Sequence, residues 1–275
     1  MNKNKQKILD AFSSKYKTYD QYSIVQKEVS MRMMERLKSI KSSPKNILDI
    51  GCGTGFLSEL LAKNFPDSNI ICLDFSHEMI KSCRNKNAKL NLVVADAEYL
   101  PFKENSFDLV ISSFTLHWCT EIEKIFLDIY NILNNNGFFM FSTVGPDTLI
   151  ELRNAYKLID DNKHINDFHD MHIYGDLLLS SNYNDPVTDV ERIIIEYDDF
   201  PEVLKSLRKT GASTVQSSNS YATSMKTLKD LEKLYQINKQ NNCFPVTYEM
   251  IYGLAWKNLT QNHEKRSGVI PIKKI

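Results

Sequence analysis

Residues 46–55, NILDIGCGTG, are the stretch that decides how this chain folds. Apolar residues surround Asp49, and glycine then occupies every second position, at Gly51, Gly53 and Gly55. A short apolar run bounded by turn residues is typical of a buried strand, and glycine permits backbone conformations that other residues avoid. The pattern therefore predicts a strand that enters a tight loop, whose backbone comes close to a ligand or to another segment.

A second acidic residue, Asp74, closes the next apolar run at 69–73. A strand, a glycine loop, a helix and a strand ending in a carboxylate form the layout of a nucleoside-binding α/β site, where the carboxylate accepts hydrogen bonds from ribose hydroxyls. The alternative is an ordinary turn between a strand and a helix. The glycine spacing does not match GxGxxG, and no GKS or GKT follows, which excludes a P-loop. With Asp74 at the second strand end, the sequence favours ligand binding.

The pair Asp96-Ala97 follows a third apolar run, 92–95. A carboxylate at this strand end can accept a hydrogen bond from the exocyclic amine of an adenine, while Phe75 and Met79 cover the faces of the ring. Two simpler interpretations stay open, with Asp96 as a polar loop residue and Met79 as a flexible core side chain. The three strand ends together predict one nucleoside site.

Composition narrows the class of protein. The chain has 275 residues, enough for one large α/β domain with an elaboration or for two small domains, and 42% of its residues are apolar. Its 34 basic and 34 acidic residues cancel, which disfavours a general nucleic-acid binder. We expect no signal peptide and no membrane span. Five cysteines without a CxxC pair favour a reduced, cytoplasmic protein without structural zinc.

Strand and helix patterns alternate along the first part of the chain. Such alternation predicts right-handed crossovers and a parallel sheet with helices on both faces. The predicted strands are 46–50, 69–73, 91–94, 107–112 and 137–143, and the predicted helices are 4–14, 22–40, 55–64, 76–85, 121–134 and 147–161.

The regular alternation of strand and helix patterns ends after residue 161. Residues 162–190 carry scattered polar residues and few long apolar runs, and we assign no helix or strand to them. Beyond them we expect strands at 192–197 and 244–256 and helices at 201–208 and 227–239. The polar tail, 258–275, is expected to be partly mobile.

Four motifs of the first part resemble those of the class I S-adenosylmethionine-dependent methyltransferases. They are DIGCGTG at 49–55, LDFS at 73–76, ADAEYLPF at 95–102 and FDLVISSFTLHW at 107–118. The resemblance implies a Rossmann-like α/β fold, with a seven-stranded mixed sheet, its last strand antiparallel, and helices on both faces.

The same resemblance implies S-adenosylmethionine as cofactor, S-adenosylhomocysteine as its product, and no metal. Asp49 and the backbone of the glycine loop then hold the methionine end, Asp74 the ribose, and Asp96-Ala97 the adenine. Cys52 is expected to be a small residue fitted between glycines and not a nucleophile. The implied cofactor-binding residues are Tyr19, Gln26, Asp49, Gly51, Cys52, Gly53, Asp74, Phe75, Met79, Asp96, Ala97 and Ser113.

Further motifs carry a narrower resemblance: FSSKYKTYDQYSIVQ at 12–26, STVGPDTLIELRNAY at 142–156, LKSLRKTGAS at 204–213 and FPVTYEMIYGLAWK at 244–257. They are similar to segments of the malonyl-acyl-carrier-protein O-methyltransferases of biotin synthesis. The resemblance implies a single domain at 1–257, with a helical lid (1–40), a cofactor-binding core (44–145) and substrate-side helices and last strands (146–257).

That family methylates the free carboxylate of a malonyl thioester on acyl carrier protein, and the methyl ester primes pimeloyl synthesis for biotin. The resemblance implies malonyl-acyl carrier protein or malonyl-coenzyme A as substrate, a monomer, and no nucleic-acid or membrane partner. In this family the positions of Tyr19 and Gln26 belong to a lid over the cofactor.

The reaction itself sets the requirements on the site. A malonyl carboxylate is ionised near neutral pH, so no general base is needed. Alignment of oxygen, methyl carbon and sulfur, with the reacting atoms about 3–3.5 Å apart, can supply the catalysis. The site must still provide a donor that orients a carboxylate. The candidates are Tyr19 and His117 as catalytic residues and Tyr16, Arg153 and Arg208 as substrate-binding residues.

Each candidate also has a structural interpretation. Arg153 can be a surface arginine, and Arg208 can meet an acidic carrier protein or belong to a solvated helix face. Tyr19 can close the lid or simply pack, and His117 can form a structural pair with Trp118. The histidines at 164, 169 and 172 show no metal spacing and are expected in loops.

Three other functions stay open at this point. One is a small-molecule C- or O-methyltransferase with a quinone-type acceptor. Another is a relative of the complex I assembly proteins that hydroxylate a protein arginine, although their GESN-like segment corresponds here to RKTGASTVQSS at 208–218. The last is a module that binds S-adenosylmethionine without turnover.

Overall fold

The computed structural model describes residues 3–87, 89–215, 225–239 and 241–258. The strands of these residues form one seven-stranded sheet in the order β3-β2-β1-β4-β5-β7-β6. Neighbouring strands from β3 to β5 are parallel, whereas β7 runs antiparallel to both β5 and β6. The strands are β1 (Asn46–Ile50), β2 (Asn69–Asp74), β3 (Asn91–Val94), β4 (Phe107–Ser113), β5 (Leu133–Val144), β6 (Asn184–Tyr197) and β7 (Phe244–Trp256). The predicted seven-stranded mixed sheet with an antiparallel last strand is confirmed.

Helices cover both faces of the sheet. They are α1 (Lys3–Ser13), α2 (Tyr19–Tyr22), α3 (Ile24–Lys38), α4 (Phe56–Asn64), α5 (His77–Lys86), α6 (Ile122–Ile132), α7 (Ile150–Lys157), α8 (Met171–Ser180), α9 (Phe200–Lys209) and α10 (Met225–Tyr235). Short 3-10 turns lie at Leu116–Trp118 and Gln236–Asn238. The predicted helix 22–40 is therefore two helices, α2 and α3, and the predicted helix 147–161 is shorter at both ends.

The alternation of side chains along the central strands creates two cores. Ile47 of β1 packs with α3, α4 and α5 on one face, while its neighbour Leu48 packs with α6 and α8 on the other. Both side chains are fully buried. A strand buried on both faces reads as a continuous apolar run, which is why 46–50 could be recognised from the sequence.

The expectation for 162–190 is wrong, because this segment contains α8 and the first half of β6. Asp170 caps α8 by accepting a hydrogen bond from the His172 backbone N–H at 2.9 Å, and Tyr174, Leu177 and Leu178 form its buried face. That spacing is helical, and a preceding Asp is a start signal, so the helix had a usable sequence pattern.

The early start of β6 has a different cause. β6 pairs with β7 from Asn184 opposite Trp256 to Tyr197 opposite Phe244, and it lies at the edge of the sheet. An edge strand tolerates polar residues and a proline, so its local sequence gave a weak strand pattern. Its partner strand supplies the pairing instead.

Two expectations concern the C-terminal part of the chain, of which the structure describes 225–239 and 241–258. The predicted helix 227–239 is α10, which ends at Tyr235 and continues as a 3-10 turn. The expectation for the tail, 258–275, stays a prediction, because residues 259–275 lie outside the described residues. Within the described ranges, no helix combines the length and apolar character needed to cross a bilayer.

Candidate active site

The loops that follow β1, β2, β3 and β4 meet at one edge of the sheet and form the floor of a cleft. Parallel sheets bind ligands at the carboxyl ends of their strands. The cleft has an empty volume of about 1030 Å³, including the solvent at its mouth. All predicted cofactor-binding residues line it: Tyr19, Gln26, Asp49, Gly51, Cys52, Gly53, Asp74, Phe75, Met79, Asp96, Ala97 and Ser113.

The glycine loop approaches the cleft with bare backbone. Gly51 has φ of +75°, and a Cβ at this position would overlap the Thr115 side chain. Gly53 has φ of +55°, and nothing lies within 4 Å of where its Cβ would be. At Gly51 the neighbouring Thr115 leaves no room for a side chain. At Gly53 there is room, but the left-handed backbone conformation favours glycine.

Asp74 joins this loop to the following helix. Its Oδ2 accepts a hydrogen bond from the Gly53 backbone N–H at 2.9 Å, and its Oδ1 accepts one from the Ser76 backbone N–H at 2.8 Å. Burial raises the pKa of the Asp74 carboxyl to about 6, although the hydrogen bonds from Ser76 and Gly53 oppose the shift. Each oxygen retains acceptor capacity for a further hydroxyl donor.

A second buried acid lies below the loop. Asp49 accepts a hydrogen bond from the Ser58 hydroxyl at 2.5 Å. Burial raises the pKa of Asp49 to about 7, the Ser58 hydrogen bond opposes this, and the nearby Asp74 adds to it. The floor of the cleft therefore gains negative charge as the pH rises through neutrality, which suits a positively charged ligand.

The strand end predicted for adenine lies at the other side of the cleft. Asp96 Oδ1 accepts a hydrogen bond from the Glu98 backbone N–H at 3.0 Å, and Asp96 Oδ2 lies 2.5 Å from the Lys5 ammonium. Met79 is 1% exposed, so it both packs in the protein and lines the cleft. The two interpretations of Met79 are compatible.

The first helices of the chain form the roof. Ile8 and Phe12 of α1 line the cleft, together with Tyr19 of α2 and Gln26 of α3. The Thr54 hydroxyl donates to Asp20 Oδ1 at 2.5 Å, and so links the roof to the glycine loop. Lys5, Ile8 and Phe12 were not predicted as site residues. Ile8 and Phe12 are four residues apart, a spacing that places both on one face of α1 and could have indicated a buried side.

A smaller chamber opens beside the cleft and shares part of its wall. The shared residues are Phe12, Tyr19, Gln26, Phe114 and Trp118. The others are His117, Val144, Thr148, Leu149, Phe168, Thr210, Ala212 and Tyr248. We call this space the side chamber. None of the described residues that line it is an aspartate, glutamate, lysine or arginine.

His117 contributes an imidazole ring to the wall of the side chamber. Burial lowers its pKa to about 3, so the imidazole is neutral at physiological pH. Its Nδ1 lies 3.4 Å from the Thr143 hydroxyl, and its ring packs edge-on against Phe168 with centroids 5.7 Å apart. A neutral imidazole in this position can donate or accept a hydrogen bond without adding charge.

The predicted substrate-binding residues lie outside both spaces. Arg153 donates to the Asn166 carbonyl oxygen at 3.0 Å and to Asp167 Oδ1 at 3.3 Å, directly before Phe168 in the chain. Its Nε atom is buried and has no hydrogen-bond partner among the described residues. Arg208 is exposed on α9, and Tyr16 is half-buried. The roles assigned to these three residues stay predictions.

The histidines of the middle segment are dispersed. The His164 ring stacks on Tyr156 with centroids 3.9 Å apart, and His172 lies in the first turn of α8. Within the described part of the chain, no group of three or more His, Cys, Asp or Glu side chains could hold a metal ion.

Comparison with known proteins agrees with this geometry. A sequence model of the methyltransferase domain matches residues 48–141, which include the glycine loop and the three acidic strand ends. Two solved structures share the fold at low sequence identity. A putative methyltransferase from Bacillus halodurans has a TM-score of 0.57 and 15% identity, over 83% of this chain and 98% of that one. Phosphoethanolamine N-methyltransferase 2 of Haemonchus contortus, in complex with S-adenosylhomocysteine, has a TM-score of 0.52 and 20% identity, over 84% of this chain and 52% of that one.

Curated relatives match almost the whole chain. The malonyl-acyl carrier protein O-methyltransferase of Legionella pneumophila is 35% identical over 98% of this chain and 96% of its own length. The enzyme of the same name from Gallionella capsiferriformans is 36% identical over 92% of this chain and 91% of its own length. A third relative, from Coxiella burnetii, is 30% identical over 98% of this chain and 94% of its own length. Both resemblances stated from the motifs are confirmed, and the chain belongs to the malonyl-acyl carrier protein O-methyltransferase family.

Proposed function

We propose that this protein methylates the free carboxylate of a malonyl thioester on acyl carrier protein, with S-adenosylmethionine as the methyl donor. The observation that carries the proposal is a cleft that fits a nucleoside, beside an uncharged side chamber that shares five lining residues and a roof with it. Family membership supports it over nearly the full length of the chain. The methyl ester would prime pimeloyl synthesis for biotin.

The cleft residues fit the cofactor. S-adenosylmethionine, when bound, supplies an electrophilic methyl group on a positively charged sulfur. Asp74 retains an acceptor position on each oxygen for the two ribose hydroxyls, and the open backbone at Gly53 admits the methionine end. Asp49 adds negative charge beneath that end when it is ionised.

The side chamber fits a carboxylate that acts as nucleophile. The malonyl carboxylate is ionised at neutral pH and needs no base. An arginine or lysine in direct contact would hold its oxygens in a tight ion pair. Neutral donors, namely Tyr19, Gln26 and His117, orient the carboxylate while leaving a lone pair for attack. The aromatic walls exclude water and so remove part of its hydration.

Tyr19 lies where the two spaces meet, so it is the first candidate for this contact. Burial raises the pKa of its hydroxyl, and the nearby Asp74 and Asp20 add to that shift, which keeps the group protonated as a donor. His117 lies on the side-chamber wall and is the second candidate. Arg153 then acts from behind the wall, through the segment that leads into Phe168.

The carrier protein would approach along α9. Lys205 and Arg208 are exposed on this helix, and Thr210 and Ala212, which follow it, line the side chamber. The exposed charges of Lys205 and Arg208 complement an acidic carrier. The phosphopantetheine arm could then enter beside Phe12, which contacts the same loop at Gly211.

The product distinguishes this function from small-molecule methylation. The protein is incubated with S-adenosylmethionine and either malonyl-acyl carrier protein or a catechol-type quinol, and each product is analysed by mass spectrometry and mild alkali. We expect a methyl ester on the malonyl group that alkali releases as methanol. An alkali-stable methyl group on the quinol, with none on the carrier, would contradict the proposal.

A further inference from the structure

One side chain of α1 reaches the acidic residue proposed to bind adenine. Lys5 lines the cleft, and its Nζ atom lies 2.5 Å from Asp96 Oδ2 and 2.5 Å from Glu98 Oε2. Only 13% of the Lys5 side chain and 6% of the Glu98 side chain are exposed. The Lys5–Glu98 pair is therefore shielded from solvent, and the Lys5–Asp96 pair is partly shielded, since 26% of the Asp96 side chain is exposed. Removing Lys5 would leave the Glu98 charge buried without compensation.

Two segments hold the carboxylates in fixed orientations: the loop after β3 binds Asp96, and Thr120, which lies between β4 and α6, binds Glu98. Asp96 Oδ1 accepts from the Glu98 backbone N–H, and Glu98 Oε1 accepts from the backbone N–H of Thr120 at 2.7 Å and from its hydroxyl at 3.0 Å. In each carboxylate one oxygen thus accepts from the protein around it, and the other contacts Lys5. Burial alone would raise the pKa of Glu98, but hydrogen bonds from Lys5 and Thr120 lower it overall, so Glu98 is charged at neutral pH.

The neighbouring cation does not replace Lys5. Lys124 donates to the backbone carbonyl oxygen of Glu98 at 2.6 Å and pairs with the Asp128 carboxylate. Without Lys5, the Asp96 and Glu98 carboxylates would face each other with their shared counter-charge removed. Like charges in close contact repel, so Asp96 would turn from its present orientation.

Helix α1 is also attached to the protein by side chains in its middle and at its end. Ile8 is the one buried residue of its described length, and the Ser13 hydroxyl lies 2.8 Å from that of Ser76. The Phe12 ring packs edge-on against Trp118, with centroids 5.4 Å apart. An eleven-residue helix is marginal on its own, so its place over the cleft depends on these contacts and on Lys5.

We propose that Lys5 is a positioning residue for cofactor binding, which orients Asp96 toward the adenine amine and ties α1 over the occupied cleft. Adenine recognition and closure of the roof are then coupled through one side chain. This inference rests on the proposed function, because it requires the adenine to lie at Asp96.

A double-mutant cycle tests the coupling. Calorimetry gives the affinity for S-adenosylhomocysteine of the parent, Lys5→Met, Asp96→Asn and the double variant. We expect each single change to weaken binding about tenfold or more. The double variant should bind about as tightly as whichever single variant binds less tightly, because both changes remove one shared interaction. Additive effects, or parental affinity in Lys5→Met, would overturn the inference.

A matched control and a second readout separate positioning from a general effect. Lys3→Met makes the same charge change at an exposed position of α1, and it should bind with parental affinity. Hydrogen exchange gives a second readout. S-adenosylhomocysteine should slow the exchange of the backbone amides of 3–13 in the parent and in Lys5→Arg, which keeps the charge. It should not slow their exchange in Lys5→Met. Equal protection of α1 in Lys5→Met and parent would refute the tie.

Failure of the proposed function would look different. A folded parent that does not bind S-adenosylhomocysteine would overturn the proposed function, and this inference with it. If the parent binds S-adenosylhomocysteine and Lys5→Met binds it with the same affinity, this inference is overturned and the proposed function is not.

Discussion

At the scale of single residues, Asp74 shows how one side chain belongs to both the fold and the site. Its hydrogen bonds from Gly53 and Ser76 fix the glycine loop and the start of α5. An ionised carboxylate has about four acceptor positions, so these hydrogen bonds leave acceptor capacity for ribose hydroxyls. The residue that shapes the cleft is therefore also the residue proposed to bind its ligand.

Asp74→Ala should weaken binding of S-adenosylhomocysteine by about 3 kcal/mol, roughly hundredfold in Kd, because two hydrogen bonds to a charged acceptor are lost. Calorimetry measures the affinity, and a thermal melt shows that the variant is folded. Asp67→Ala, at an exposed position, should keep the parental affinity. A folded Asp74→Ala protein with parental affinity would remove this residue from the site.

The raised pKa values of Asp49 and Asp74, about 7 and about 6, predict a pH dependence. Between an unfolded-state pKa near 4 and these values, the folded protein binds more protons than the unfolded chain. The free energy of unfolding of the ligand-free protein should therefore fall as the pH rises from about 4 to about 7. A cationic cofactor favours the ionised carboxylates, so its affinity should rise over about pH 5.5–8.

Calorimetry in two buffers of different ionisation enthalpy checks this linkage. S-adenosylmethionine binding near pH 6.5 should release protons, and Asp49→Asn should release fewer. An affinity that is flat over this range, with no proton release, would show that neither carboxyl titrates in the site.

At the scale of elements, the contact between β5 and β7 depends on a missing side chain. Gly253 of β7 lies opposite Phe141 of β5, and a Cβ at Gly253 would overlap the Phe141 ring, which is fully buried. A close-packed core resists such overlap. The antiparallel strand therefore fits the sheet only with glycine at this position.

Gly253→Ala should lower the free energy of unfolding by about 1–3 kcal/mol. Gly175→Ala is the matched control, because that glycine lies in α8 and its added Cβ would come no closer than 3.9 Å to Thr188. It should stabilise the protein by about 0.5–1 kcal/mol through helix propensity. Denaturant unfolding measures both. Equal stabilities for the two variants would contradict the packing described for the sheet.

Helix α9 carries the prediction about the carrier protein. Lys205→Glu combined with Arg208→Glu should raise the KM for malonyl-acyl carrier protein about tenfold, with the KM for malonyl-pantetheine unchanged, because only the carrier protein brings an acidic surface to α9. Lys41→Glu with Lys63→Glu reverses two exposed charges outside α9, the cleft and the side chamber, and should change neither constant. An equal rise for both thioesters would place the two residues at the substrate instead of the carrier.

At the scale of the whole molecule, the parts of the sequence that predicted the fold are those where local pattern and final environment agree. β1 and β2 are buried centrally, so their apolar runs were recognisable, and the glycines and acids at their ends marked the site. β6 was predicted only from 192, because an edge strand takes its pairing from β7 rather than from its own composition.

The same reasoning explains what was missed in the site. Lys5 belongs to a lysine-rich start that resembles an ordinary solvated face, and its contacts with Asp96 and Glu98 span more than ninety residues of chain. The side chamber is assembled from α1, the loop after β4 and the segment after α9, so no single motif describes it. Long-range placement of this kind follows from topology and has no local sequence pattern.

The most direct test of the whole account is transfer of a labelled methyl group from S-adenosylmethionine to two carriers that differ only in one carboxylate. The purified protein is incubated with malonyl-acyl carrier protein and, separately, with acetyl-acyl carrier protein. We predict label on the malonyl form alone, released by mild alkali. Label on both forms, or on neither while the protein binds S-adenosylhomocysteine, would contradict the account.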